Sequence, residues 1–233
     1  MRPPLAWRLL GVSALSLSVL TACPGPTPPY QPAAQLNFQF PEVTDKTDVK
    51  LAAVASEVVG GKTQFRVVAQ GYLQSGTAGS LLLDGYALKE VTTNPNCTLP
   101  FLGGETAGMG EVSVTPSTVK TCNVYFLVFR DSDRDEKPDS VEELYNTHDL
   151  YSYASEKFDY RFVSPDGRST ETGTRAAGWS LVRHQVLQPS ATPGHYLVTM
   201  NSVPQADEAL TLRMHAPTDY FTSQGLSAPG GRP

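Results

Sequence analysis

Apolar residues in this chain recur at every second position, and that period decides what the chain can fold into, because only a strand with one dry face needs it. The alternation runs through Leu36/Phe38/Phe40, Phe65/Val67/Ala69, Leu81/Leu83, Val112/Val114, Phe158/Tyr160/Phe162, Tyr196/Val198/Met200 and Leu210/Leu212/Met214. Turn-forming residues separate these runs, at Gly60-Gly61, Pro165-Asp166-Gly167 and Thr192-Pro193-Gly194. The stretch Asn123 to Phe129 breaks the pattern: Val124, Phe126 and Val128 on one face alternate with Tyr125, Leu127 and Phe129 on the other. A strand apolar on both faces is covered on both sides, which places it at the centre of the fold. Many short strands with little helical period predict an all-β domain, a β-sandwich of immunoglobulin-like or related type rather than a barrel.

Between residues 35 and 221 there is neither an internal repeat nor a change of composition, so the folded part reads as one domain. The last stretch, 222–233, is rich in Gly, Ser and Pro and reads as a flexible tail. The 18 Lys and Arg stand against 23 Asp and Glu, a formal charge of −5, which argues against a nucleic-acid partner.

The N-terminus carries an address. Arg2 and Arg8 precede an uncharged apolar run from Leu9 to Leu20. Twelve residues span roughly 18 Å as a helix, short of the ~30 Å hydrocarbon core, so the run reads as an export signal and not a membrane span. It ends Leu20-Thr21-Ala22-Cys23. This segment resembles a bacterial lipoprotein signal, in which an aliphatic residue and two small ones precede the modified cysteine. The resemblance implies removal of residues 1–22, acylation of Cys23 and a place in the cell envelope, anchored by lipid to a membrane on its non-cytoplasmic side. Several acyl chains on one residue anchor stably where a single chain does not. Residues 23–34 hold prolines at 24, 26, 28, 29 and 32 and read as an extended tether.

With Cys23 assigned to lipid, Cys97 and Cys122 remain as a candidate disulfide in an oxidising compartment, the alternative being two buried thiols.

One constellation carries chemistry. Directly after the doubly apolar strand come Asp131, Asp133, Asp135, Asp139 and Glu142. Counted from Asp131 they occupy positions 1, 3, 5, 9 and 12, with the main-chain carbonyl of Lys137 at position 7, which is the oxygen spacing of a calcium loop. The string resembles the Asp-rich loops of thrombospondin type 3 repeats and, less closely, those of dockerins and EF-hands. By position the resemblance gives Asp131, Asp133, Asp135, Lys137, Asp139 and Glu142 the role of Ca2+ ligands. Position 6, normally glycine for a left-handed turn, is Glu136. Ser140-x-x-Glu143 then has the form of a capping box, predicting a short helix from Val141 that aligns Leu144, Tyr145 and His148.

Tyr145, Tyr151 and Tyr153 follow closely and could present a ligand face to a glycan or an envelope protein, with core packing as the plainer alternative. Trp179 reads as core, and Gly178-Trp179-Ser180 lacks the second glycine of a nucleophile elbow. His148, His184, His195 and His215 show no metal-pair spacing, and there is no phosphate loop, CxxC or HExxH. The sequence therefore points to a lipid-anchored protein with a structural calcium ion and a role in binding, adhesion or envelope organisation. It assigns no catalytic residue. The competing expectation is a calcium-dependent surface hydrolase acting on polysaccharide or peptide, since a triad assembled in space needs no sequence signature.

Overall fold

The computed structural model describes residues 32–101, 110–139, 141–187, 192–204, 210–217, 221–222 and 225–226. The chain from Gln31 onward forms one compact unit. In chain order its elements are β1 (Pro32–Gln39), β2 (Val49–Val59), β3 (Lys62–Tyr72), β4 (Ala78–Asp84), α1 (Gly85–Thr93), β5 (Leu99–Pro100), β6 (Val112–Thr115) and β7 (Lys120–Arg130). They continue as β8 (Glu143–Asn146), β9 (Leu150–Ala154), β10 (Phe158–Val163), β11 (Ser169–Arg175), β12 (Gly178–Leu187), β13 (Tyr196–Ser202), β14 (Thr211–Arg213), β15 (Phe221–Thr222) and β16 (Gly225–Leu226). The fold is all-β and sandwich-like. A three-stranded sheet, β14-β1-β4, packs on a large sheet ordered β3-β2-β7-β9-β12-β13-β11-β10-β6, with β5 and β8 also paired to β7.

The doubly apolar stretch is the middle of β7, which is central as expected. β2 and, beyond it, β5 pair along one edge, while β9 and β8 divide the other between them. Its two faces lie in two different cores. Val124, Phe126 and Val128 join Leu51, Ala53 and Ala55 of β2 beneath Leu36, Phe38, Leu81, Leu83 and Leu212 of the small sheet. The rings of Phe38 and Phe126 meet at 5.1 Å across the two layers. On the reverse face, Leu127 and Phe129 are buried with Ala52 and Val54. The alternating pattern is thus the imprint of the sheet packing, except at β3, an edge strand where Phe65 remains exposed, and at Leu210, exposed just before β14.

The helix is not where the capping box placed it. Residues 143–146 form β8, and the one helix among the described residues is α1. The reason lies in the backbone of β7. β9 covers Thr121 to Val124, so Leu127 to Phe129 need another strand to accept and donate their hydrogen bonds, and β8 supplies it. The requirement to pair a buried strand overrides a local helix signal. At α1, Asp84 caps the first turn by accepting a hydrogen bond from the Tyr86 amide at 2.9 Å, and Leu88 and Val91 face the core. Asp84-Gly85 reads as a turn in sequence, which hides this start. Trp179 Nε1 donates to Thr92 Oγ1 at 3.1 Å and ties the helix to β12.

Cys97, just beyond α1, and Cys122 on β7 form a disulfide with Cα atoms 5.2 Å apart, and both are buried. The bond closes a loop of 25 residues, which in the chain-entropy treatment is worth about 3 kcal/mol. Replacing both cysteines by alanine should lower the unfolding free energy by about that amount. Urea denaturation measures it, and an unchanged midpoint would show that the bond contributes nothing.

Candidate metal site

The acidic run leaves β7 at its C-terminal end, and its position follows from the strand. Arg130 is the last residue of β7 and its guanidinium reaches across to the β1–β2 connection. It donates to Asp45 Oδ2 at 3.0 Å, to the Thr47 carbonyl at 2.7 Å and to the Asp45 carbonyl at 2.8 Å. The Asp131 amide donates to the Asp48 carbonyl at 2.9 Å, and Arg134 pairs with the Asp48 carboxylate at 3.3 Å. The loop is therefore docked at several points on residues 45–50.

Three of the expected ligands converge. One carboxylate oxygen from each of Asp131, Asp133 and Glu142 lies within 4.8 Å of the others. Asp131 and Glu142 are buried, while Asp133 is exposed. The loop main chain turns through left-handed conformations at Arg134 (φ 62°) and Glu136 (φ 64°). The position normally held by glycine thus takes the backbone shape that glycine usually provides, with a side chain bearing the steric cost. The Glu136 amide points inward to Asp131 Oδ1 at 3.3 Å, and the Ser132 amide donates to Glu142 Oε1 at 2.6 Å.

The other three residues do not belong to that converging group. Asp135 accepts from the Lys137 amide at 2.8 Å, and Asp139 accepts from the amides of Val141 and Glu142 at 2.8 and 3.0 Å. Asp139 is thereby the residue that turns the chain from the loop into β8. Lys137 is exposed. The donor set is all hard oxygen, which suits calcium or magnesium and not a thiolate- or imidazole-preferring metal.

Lys50 of β2 joins the site from a position remote in the sequence. Its ammonium lies 2.7 Å from Asp131 Oδ2 and 3.7 Å from Glu136 Oε1, with both Lys50 and Asp131 buried. The signal was present in the sequence as a single charge inside Val49-Lys50-Leu51-Ala52-Ala53-Val54. The hydrogen bond from Lys50, outweighing burial, holds the Asp131 carboxyl below the usual carboxylate range, and the same bond raises the Lys50 ammonium. The contribution of the pair is complete above the free-carboxylate value of about 3.9. It is lost as the pH falls through the lower folded value.

The tyrosines read as a ligand face are packed inward. Tyr151 is buried and stacks on Trp179 with centroids 5.5 Å apart, Tyr153 meets the same indole at 5.7 Å, and Tyr145 stacks on Phe40 at 6.2 Å. Cys23 lies outside the described residues. Among the described residues, no helix is long and apolar enough to cross a membrane. His148, His184 and His215 come together in space with one another, a grouping that no spacing in the sequence announces.

The fold and site together define an all-β domain whose central strand ends in an oxygen-rich acidic loop. Comparison with family models, with curated proteins and with solved structures finds no match.

Lys50→Met should lower the melting temperature of the metal-free protein by several degrees, because it leaves Asp131 buried without its counter-ion. In a double-mutant cycle with Asp131→Asn the two losses should fall well short of additive. Additive losses would show that the pair is not coupled.

Proposed function

We propose that this chain is a lipid-anchored protein of the cell envelope whose β-sandwich carries a structural calcium ion and serves as a binding, adhesion or envelope-organising module. The observation that carries the reading is the convergence of Asp131, Asp133 and Glu142 at the end of the central strand, on a loop turned through a left-handed Glu136. These residues fit the ion. They offer the oxygen donors calcium prefers, and two of the three come from a site that is already buried and held by main-chain amides. Asp131, Asp133 and Glu142 would hold it, with Asp135, Asp139 and the Lys137 carbonyl completing the shell by rotation of exposed side chains and small loop adjustment.

In this reading the ion supplies charge compensation rather than chemistry. From Asp131 to Glu143 there are seven acids and two bases, a local −5. Neutralising that charge fixes the loop, and the loop fixes the end of β7 and the docked segment 45–50. The inward packing of the tyrosines favours this structural role over a calcium-dependent recognition face formed by those residues.

The anchor would hold the domain at a membrane surface, with residues 23–31 ahead of β1 as a stand-off of roughly 28 Å at the rise of an extended proline-rich chain. Once residues 1–22 are removed, two arginines and no acids are lost, and the mature charge becomes −7.

Two experiments test the proposal. Calorimetric titration of the purified protein with calcium should give binding heat and a rise in melting temperature, about 1.4 kcal/mol of added stability at ten times the dissociation constant. An Asp133→Ala/Asp135→Ala variant should show neither, and a wild type without heat or thermal shift would sink the ion. For the anchor, the expressed chain should partition into the detergent phase and carry diacylglycerol on Cys23 by mass spectrometry. Cys23→Ala should move it to the aqueous phase, and an unmodified wild-type Cys23 would refute lipidation.

A further inference from the structure

Three histidines far apart in sequence meet where the C-terminal strand crosses back to the large sheet. His148 lies between β8 and β9, His184 is on β12, and His215 follows β14. The ring of His148 stacks on both others, with centroids 4.8 Å from His184 and 4.9 Å from His215. His215 Nε2 and His148 Nδ1 are hydrogen-bonded at 3.1 Å, and His215 Nδ1 lies 2.9 Å from the Ala216 carbonyl oxygen. A carbonyl only accepts, so His215 bears a proton on Nδ1, and when neutral it accepts at Nε2 from His148. His184 Nδ1 is buried with no hydrogen-bond partner among the described residues. The main chain crosses at the same point: Asn146 and His215 exchange two hydrogen bonds of 2.9 Å, an isolated bridge between the small sheet's last strand and β8.

From this geometry we propose that the His148–His184–His215 stack is a pH-sensitive latch, closed while neutral, that frees the C-terminal strand from the large sheet under mild acid. The first proton has a place to go. Asp149 lies within Coulomb reach of His215, and an imidazolium at His215 still has a neutral His148 as acceptor. The second proton does not. With both rings charged the hydrogen bond has two donors and no acceptor, and two cations face each other at 4.9 Å. A third charge on His184 would be buried at a nitrogen without a partner.

The surrounding charges do not relieve this. Asp149, the nearest carboxylate, is buried and already engaged by Arg183 at 3.3 Å and by the His184 amide at 2.8 Å. On β8, Glu143 is hydrogen-bonded to Asn146. β13 places the uncharged Met200 and Asn201 opposite His184 and Arg183. On the C-terminal segment, His215 is flanked by Met214 and Ala216, with the exposed Arg213 beyond. Burial and the two neighbouring rings push the His184 imidazole down to about 4, against about 6.5 for a free side chain. The closed His184 ring is therefore neutral where the opened one is charged, so opening takes up a proton and the latch weakens as the pH falls from about 6.5 towards 4.

The test is amide hydrogen exchange of residues 211–217 at pH 7.0 and 5.5, corrected for intrinsic rates, with a chelator present throughout so that the acidic loop stays metal-free. One histidine shifted this far makes the opening constant roughly tenfold larger at pH 5.5, so these amides should lose about tenfold protection while those of β7 keep theirs. His184→Phe, which keeps a stacked ring but cannot be charged, should flatten the dependence. A wild type whose 211–217 protection is the same at both pH values overturns the proposal, as does a folded His184→Phe that keeps the full tenfold change. Should the variant fail to fold, histidine titration of the wild type by NMR decides. A ring that stays neutral to below pH 5 supports the latch, and three rings titrating together near 6.5 refute it.

Discussion

Strand β7 is apolar on both faces, and the larger features of the domain follow from keeping both dry. Phe126 and Phe129 point in opposite directions and are both fully buried. One face is closed by the small sheet, whose Phe38 lies on Phe126. The other is closed in a separate cluster with Ala52 and Val54. A strand so placed has no edge it can leave unpaired. That accounts for β2 and β5 on one side, for the succession of β9 and β8 on the other, and for the loss of the expected helix to β8. The disulfide to Cys97 secures the start of the strand and the Lys50–Asp131 pair its end.

The end of β7 is where apolar packing gives way to charge. Six acids fall within twelve residues, an arrangement that repels itself unless bases or a cation compensate. The chain provides part of the compensation from segments that sequence proximity would not suggest: Lys50 to Asp131, Arg130 to Asp45 and Arg134 to Asp48. Lys50 neutralises one carboxylate and keeps it ionised and aimed. It leaves the remaining acids as the net charge that a divalent ion would meet. A loop held in this way has its buried oxygens already arranged, which would reduce the ordering cost of binding a cation.

Much of this was legible in the sequence, and the gaps have physical causes. Leu36/Phe38, Leu81/Leu83 and Phe158/Tyr160 announced their strands because each has one wet face and one dry face. β2 did not, since Leu51 to Ala55 are buried on both sides and show no alternation. β11 did not, since Ser169 to Arg175 is polar throughout. The spacing of the acidic loop exposed its local geometry, including the left-handed turn at Glu136. It could not reveal Lys50, 81 positions away, because tertiary pairing leaves no local period. The histidine stack was invisible for the same reason: three segments distant in the chain bring its rings together.

The proposed cation site after β7, which would fix the end of the sandwich, is open to direct observation. Crystals of the protein grown in calcium test it most directly. An ion is expected at 2.3–2.6 Å from carboxylate oxygens of Asp131, Asp133 and Glu142, with Asp135 and the Lys137 carbonyl drawn in to complete the shell. A loop whose acids instead remain paired only with Lys50, Arg134 and solvent in saturating calcium would contradict it.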